Sequence, residues 1–129
     1  MAKNKYVGEF EFNASKKMLY PYFSTASGLA QWFADDVNIN NEDKVYTFIW
    51  DGDETKAKLT SNRTNHHVRF DVIDEEDEDD NNFFEFKIDV NELTQTVYVR
   101  ITDYSDMDDE EASELWETLI HDLKEIVGG

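Results

Sequence analysis

The end of the chain constrains the fold most, because it holds one long amphipathic segment in a sequence of 129 residues. Over 106–127, apolar side chains recur every three or four residues, which is the spacing of one face of an α-helix. This stripe consists of Ala112, Leu115, Trp116, Leu119, Leu123, Ile126 and Val127. Acidic residues occupy the first turn, where the helix dipole favours them, and Ser105 or Asp106 can cap the helix. A single helix of this kind can cover one face of a sheet.

The residues before this segment form short runs in which apolar and polar side chains alternate, the pattern of half-buried β-strands. The predicted strands are 5–12, 36–39, 44–50, 55–61, 66–73, 83–90 and 93–103. Turn-forming clusters separate them, among them Asp51 and Gly52, a dipeptide typical of tight hairpins. Short turns between consecutive strands predict antiparallel neighbours and a sheet with one apolar side.

Two short helices are predicted between the first and second strands. Residues 15–23 place apolar side chains at helical spacing after a cap at Asn13 or Ser15, although Pro21 interrupts the pattern. After a break at 24–28, "SGLAQWF" (27–33) predicts a second helix capped by Ser27. We interpret the pair as a plug that closes the open end of a curled sheet.

This order predicts an α+β fold in which a curved antiparallel sheet of about seven strands wraps around the C-terminal helix, as a single domain over 1–129. Three parts carry a family resemblance: "LYPYFSTASGLAQWF" (19–33), the strands through Asp103, and "ELWETLIHDLKEIVG" (114–128). Together they resemble the helix-grip fold of the START-like (SRPBCC) superfamily, which includes the Bet v 1-like proteins. Within it the chain is most similar to the branch named for the activator of the heat-shock chaperone ATPase.

The resemblance implies an elongated cavity under the long helix, which members of the superfamily often use for an apolar ligand. The residues expected to face that space are Phe33, Phe48, Trp50, Phe70, Phe84, Phe86, Trp116 and Leu119. Aromatic residues at strand and helix spacing are equally typical of an ordinary core packed at normal density. We therefore expect a non-catalytic domain that binds a small hydrophobic ligand, provided that the core leaves space for one.

Charge favours some partners and disfavours others. The formal net charge is −18, from 30 acidic and 12 basic residues. Such a field repels phosphate backbones and anionic membrane surfaces, so no nucleic-acid partner is expected. It permits a basic protein partner, and a co-chaperone-like interaction module is the alternative function.

The chain has no cysteine, which excludes disulfides, thiol catalysis and thiolate metal sites. No apolar run approaches the roughly 20 residues of a membrane span, and no signal peptide is apparent, so we expect a cytoplasmic protein.

Little in the sequence predicts an enzyme. The superfamily includes aromatic polyketide cyclases, whose chemistry needs polar groups inside the cavity, and Tyr46, Tyr98 and Arg100 are the only candidates here. Tyr98 and Arg100 share the outward face of their strand. We therefore predict no catalytic residue and no cofactor.

Metal binding is not predicted either. His66 and His67 are neighbours on a strand and point to opposite faces, and His121 lies on the polar side of the last helix. The acidic run 74–80 offers oxygen ligands for calcium but lacks the glycine and the spacing of an EF-hand loop. We interpret 74–82 as a solvated loop.

Overall fold

A computed structural model describes residues 3–73 and 82–128 and confirms the predicted α+β helix-grip order. The elements are β1 (Asn4–Phe12), α1 (Lys16–Ser24), α2 (Ala26–Leu29), β2 (Asp36–Asn40), β3 (Val45–Trp50), β4 (Asp53–Arg63), β5 (His67–Ile73), β6 (Phe83–Asn91), β7 (Thr96–Ser105) and α3 (Asp109–Val127). All seven predicted strands are present. The predicted loop lies outside the described residues, apart from Asn82.

The seven strands form one curved antiparallel sheet in the order β1-β7-β6-β5-β4-β3-β2. Consecutive strands are neighbours throughout, except that β1 closes against β7, with Gly8 opposite Ile101. A register shift between Leu59 and Ser61 interrupts the β4–β5 pairing, and irregularities of this kind increase local twist. The predicted hairpin is confirmed, because Asp51 and Gly52 both have positive φ, as a two-residue primed turn requires.

The long helix α3 packs on the apolar face of this sheet, but the predicted stripe is partly wrong. Its buried residues are Ala112, Trp116, Ile120, Leu123 and Val127. Leu115 and Ile126 are 41% and 39% exposed, whereas Ile120, which the stripe omitted, is buried. The predicted apolar stripe was wider than the part of the helix surface that contacts the curved sheet. Leu115 and Ile126, at the edges of the stripe, are therefore exposed to solvent.

The predicted cap of α3 is also wrong. Strand β7 continues through Ser105, so the helix starts later than the pattern suggested, and Asp108 is the N-cap. The Asp108 carboxylate accepts a hydrogen bond from the Glu111 amide at 2.8 Å. Acidic residues do fill the first turn, as predicted.

The two short helices differ from prediction at their junction. Helix α2 is a single turn capped by Thr25 instead of Ser27, because the Thr25 hydroxyl accepts from the Gly28 amide at 2.9 Å. The same hydroxyl donates to the Pro21 carbonyl at 2.7 Å, so Thr25 joins α1 to α2. Pro21 lies inside α1, and a Cβ on Gly28 would overlap its carbonyl oxygen, so this close approach requires glycine.

Candidate ligand cleft

The centre of the space between sheet and helix is filled by aromatic side chains. Phe48, Phe70 and Phe86, all expected to face a cavity, are fully buried and pack against other rings. The ring centres of Phe48 and Phe70 are 5.7 Å apart, within the usual range for aromatic pairs. These three residues form the back of the core, and none of them lines the cleft that the other five predicted residues share.

The other five predicted residues, Phe33, Trp50, Phe84, Trp116 and Leu119, do line one space together. It is a cleft of about 310 Å³ beside the N-terminal half of α3 and the end of β7. Additional walls come from apolar or aromatic side chains that were not among the residues expected to face a cavity, namely Val72, Phe83, Tyr104, Met107 and Leu115. The lining is mainly apolar, and its polar side chains are those of Thr55, Asn82, Asp103, Tyr104 and Ser105.

The wall between this cleft and the core is a stack of two rings. Phe33 and Trp116 lie 5.6 Å apart between ring centres and only 16° from parallel. Phe33 reaches this position because α2 and the turn after it fold back over the sheet. The Trp50 indole donates to the Phe33 carbonyl at 2.6 Å and fixes that turn. The stretch "SGLAQWF" therefore closes the core and supplies one wall of the cleft.

One buried carboxyl group lies in the cleft wall. Asp103 is only 6% exposed and is the only buried charged residue among those that the structure describes. Its Oδ2 accepts a hydrogen bond from the Trp116 indole nitrogen at 2.7 Å. Burial raises the pKa of Asp103, and the hydrogen bonds from Trp116 and Ser105 partly oppose that rise. Chemically, this group can accept a hydrogen bond or take up a proton in an otherwise apolar site.

The sequence carried a signal for Asp103 that was missed. It continues the inward alternation of Val97, Val99 and Ile101 by one further step of two residues. A charged residue that lies on the same face of a strand as a series of inward apolar residues is a candidate for a buried polar group. Nearby, burial also raises the pKa of the Tyr6 hydroxyl, which hydrogen-bonds Ser113.

A second groove adjoins the cleft on the outer side of α3. It measures about 690 Å³ and shares Phe33, Trp50, Leu115 and Leu119 with the cleft. Its other end holds the exposed Ile126, which the cleft does not contact. Three carboxylates line this groove, those of Asp35, Asp122 and Glu125.

The polar residues considered for catalysis do not meet in the cleft. The Tyr46 hydroxyl donates to the Ser24 carbonyl at 2.6 Å inside the fold. Arg100 forms an ion pair with Glu9 at 2.7 Å on the exposed side of the sheet, the side that Tyr98 shares.

The histidines are also separated in space. His66 contacts Lys16, His67 contacts Glu85, and His121 contacts Glu125. Over residues 3–73 and 82–128, no group of three or more His, Asp or Glu side chains is arranged to hold a metal ion. Within the same ranges, no helix is long and apolar enough to cross a membrane.

Comparison with known proteins agrees with this geometry. The protein BfR322 from Bacteroides fragilis is 36% identical, with 98% of this chain and 92% of that chain covered and a TM-score of 0.64. The Aha1 dimer from Colwellia psychrerythraea is 19% identical, with 96% of each chain covered and a TM-score of 0.77. XoxI from Bacillus cereus is 14% identical, covers 98% of this chain and 96% of its own, and has a TM-score of 0.76.

The similarities to the Aha1 dimer and to XoxI, at 19% and 14% identity, are informative about the fold alone. Among curated proteins, the comparison finds no match. The sequence profile of the START-like superfamily domain matches residues 1–129. The chain therefore belongs to the START-like superfamily, whose fold serves in general as a module for binding ligands or proteins.

Proposed function

We propose that this chain acts as one non-catalytic START-like domain that binds a small, mainly apolar molecule in the cleft beside α3. The observation that carries the proposal is a cleft of about 310 Å³ with aromatic walls and a single buried carboxyl group, that of Asp103. Apolar concave sites with a few placed polar groups are the usual form of a small-molecule site.

The dimensions and chemistry of the cleft limit the ligand. A volume of about 310 Å³ lies at the low end of the roughly 300–1,000 Å³ range of ligand pockets, so the ligand is compact. Flat aromatic walls at Phe33 and Trp116 favour a ring or a short branched chain. The Asp103 carboxyl favours a molecule with one hydroxyl or amide donor, because a carboxylate that accepts bonds from Trp116 and Ser105 can still accept another.

A variant that fills the cleft tests this proposal. Val72 lines the cleft, and Val72→Phe places a larger side chain inside it. Ile73→Phe is the matched control, because its side chain points to the opposite face of the sheet and is exposed. The probe is N-phenyl-1-naphthylamine, a neutral fluorophore that the net charge of −18 does not repel.

We expect the probe to bind the unmodified protein, and Val72→Phe to weaken that binding at least about tenfold, a loss of about 1.4 kcal/mol. Ile73→Phe should leave it unchanged. Native mass spectrometry of the purified protein should also show a bound small molecule that organic solvent removes. Failure of the probe to bind, or equal binding by Val72→Phe, would contradict the proposed site.

A second candidate function is favoured by the outer groove. Leu115 and Ile126 expose apolar surface beside the carboxylates of Asp35, Asp122 and Glu125. An apolar floor with an acidic rim complements a basic amphipathic segment of a protein partner. We assign the interaction-module alternative to this surface.

The two functions can be separated by experiment because Ile126 lines the groove but not the cleft. A synthetic amphipathic helix of lysine and leucine serves as the probe for the groove. Ile126→Ser should weaken its binding, whereas Val7→Ser, at a 50% exposed position on β1, should not. Binding should also fall between about 0.01 M and 0.15 M salt. Equal binding by Ile126→Ser and Val7→Ser would exclude the groove.

A further inference from the structure

A third concave site lies at the opposite end of α3 from the ligand cleft, and several basic side chains line it. It measures about 960 Å³ and lies between the end of β1, the start of α1, the β4–β5 turn, the β6–β7 turn and the last turns of α3. Lys16 and Lys17 come from α1, His66 from the turn and Lys124 from α3. Glu11 is the only carboxylate side chain among its lining residues.

This concentration of cations is unusual for the chain as a whole. The chain has 30 acidic residues for 12 basic ones, and Lys3 and Lys87, for example, form ion pairs with Asp106 and Glu85. Yet among the described residues no ion pair joins Lys16, Lys17 or Lys124 to a carboxylate. At physiological ionic strength, charges more than about 8 Å away are largely screened. The local field in this cleft is therefore set mainly by the charges that line it, those of Lys16, Lys17, Lys124 and Glu11, and less by the net charge of −18.

The contacts of these side chains hold them in place without neutralising them. The Lys16 ammonium donates to Nδ1 of His66 at 2.6 Å. The Lys124 ammonium lies 5.5 Å from the centre of the Phe12 ring, a cation–π distance. Both partners are uncharged groups when the histidine is neutral, so the positive charge remains available to a ligand.

The backbone adds donors to the same cleft. Ser15 caps α1 by accepting from the Met18 amide at 3.1 Å, and its carbonyl accepts from Leu19. Within the part of the chain that the structure describes, no hydrogen bond uses the amides of Lys16 and Lys17. The first amides of a helix point outward and favour anions, so they reinforce the lysine side chains.

We propose that this cleft binds the phosphate group of a small phosphorylated molecule. Lys16 and Lys17 of α1 and Lys124 of α3 line the same cleft, and a tetrahedral dianion with three free oxygens can contact several donors at once. A carboxylate has one charge and two oxygens and satisfies fewer of them. The site is separate from the apolar cleft, and its occupancy does not depend on whether that cleft binds a ligand.

The test uses inorganic phosphate and amide chemical shifts of the full chain at constant ionic strength. Saturable shifts confined to residues that line the cleft, 11–17, 65–66, 90, 94–97 and 124, are expected. The double variant Lys16→Gln with Lys124→Gln should weaken binding at least about tenfold, the effect of losing two charge-assisted contacts. The matched control removes the same charge from exposed positions of β4, Lys56→Gln with Lys58→Gln, and should bind as the unmodified protein does.

Three results would overturn the proposal. The first is the lack of any saturable shift with phosphate. The second is an equal loss in the two double variants, which would indicate a general field effect instead of a site. The third is acetate binding as tightly as phosphate, since the cleft would then recognise negative charge and not the phosphate group. A sugar phosphate and a free nucleotide, titrated in the same way, distinguish the sources of the phosphate group: tighter binding of either than of inorganic phosphate supports the proposal.

Discussion

Replacing Trp116 by phenylalanine tests the buried pair that borders the ligand cleft. Trp116 is 2% exposed, stacks on Phe33 and donates its indole N–H to Asp103. Phenylalanine keeps an aromatic ring in the same place but removes the donor. The variant therefore separates the hydrogen bond from most of the ring packing.

The expected loss follows from two contributions. Removing a hydrogen bond to a charged group costs about 1.5–3 kcal/mol, because the buried Asp103 carboxylate loses a partner. The smaller ring leaves a cavity that adds to this cost. We expect Trp116→Phe to lower the free energy of unfolding by about 2–4 kcal/mol at pH 7. Trp116→Ala, which also removes the stacked ring, should cost more.

The loss should depend on pH in a defined direction. Burial raises the folded-state pKa of Asp103 above its ordinary value of 3.8, while the Trp116 hydrogen bond lowers it. Without the indole, the folded-state pKa of Asp103 rises further. A folded state with a raised carboxyl pKa binds more protons than the unfolded state, so its stability increases as the pH falls from above that pKa towards 3.8. The cost of Trp116→Phe should therefore be largest at neutral pH and shrink on acidification.

The measurement is urea unfolding followed by circular dichroism, from neutral pH down to about pH 5. Trp32→Phe is the matched control, because the Trp32 indole donates at 2.8 Å to a backbone carbonyl, that of Tyr22, which does not titrate. Its cost should be independent of pH. A cost of Trp116→Phe that stays constant over this range would refute the reasoning on Asp103.

Three further predictions concern the fold and are measured by the same unfolding assay. Gly28→Ala should cost about 1–3 kcal/mol because the new Cβ overlaps a carbonyl oxygen of α1, and an unchanged stability would contradict this close approach. Asp108→Ala should cost about 0.5–2 kcal/mol by removing the cap that accepts from Glu111, and a neutral result would place the start of α3 elsewhere. Leu123→Ala should cost about 2–5 kcal/mol, whereas Leu115→Ala should cost less than about 1 kcal/mol, and equal costs would mean that α3 is rotated.

The local spacing of apolar residues was sufficient to predict which helices and strands form. It was not sufficient to predict the residues at which α2 and α3 begin. The alternation in 83–90 predicted β6 within one residue, since burial of one sheet face imposes a period of two. The start of α3 was misplaced, because any of Ser105, Asp106 and Asp108 can cap a helix and only the end of β7 selects among them. The cap of α2 was misplaced for a similar reason, since Thr25 is held by Pro21 from another helix.

The candidate site was only partly predictable. Five of the eight expected residues meet in one cleft, because inward phase identifies which side chains face the helix. The alternation along a strand predicts which face a side chain is on but not how deeply it is buried. It therefore did not distinguish Phe48, at the back of the core, from Phe84, in the cleft wall. Asp103 was missed because a charged side chain at an inward position was not considered.

The sequence by itself determined the order of the elements, the inward face of each strand and the presence of one helix able to cover the sheet, because these depend on spacings of two to four residues. Tertiary structure decided which side of α3 is buried, how much space the aromatic residues leave, and that Lys16 and Lys124 line the same cleft. These features depend on curvature and on contacts between distant segments, such as the pairing of β1 with β7. No local spacing encodes them, since they exist only once the sheet has closed around the helix.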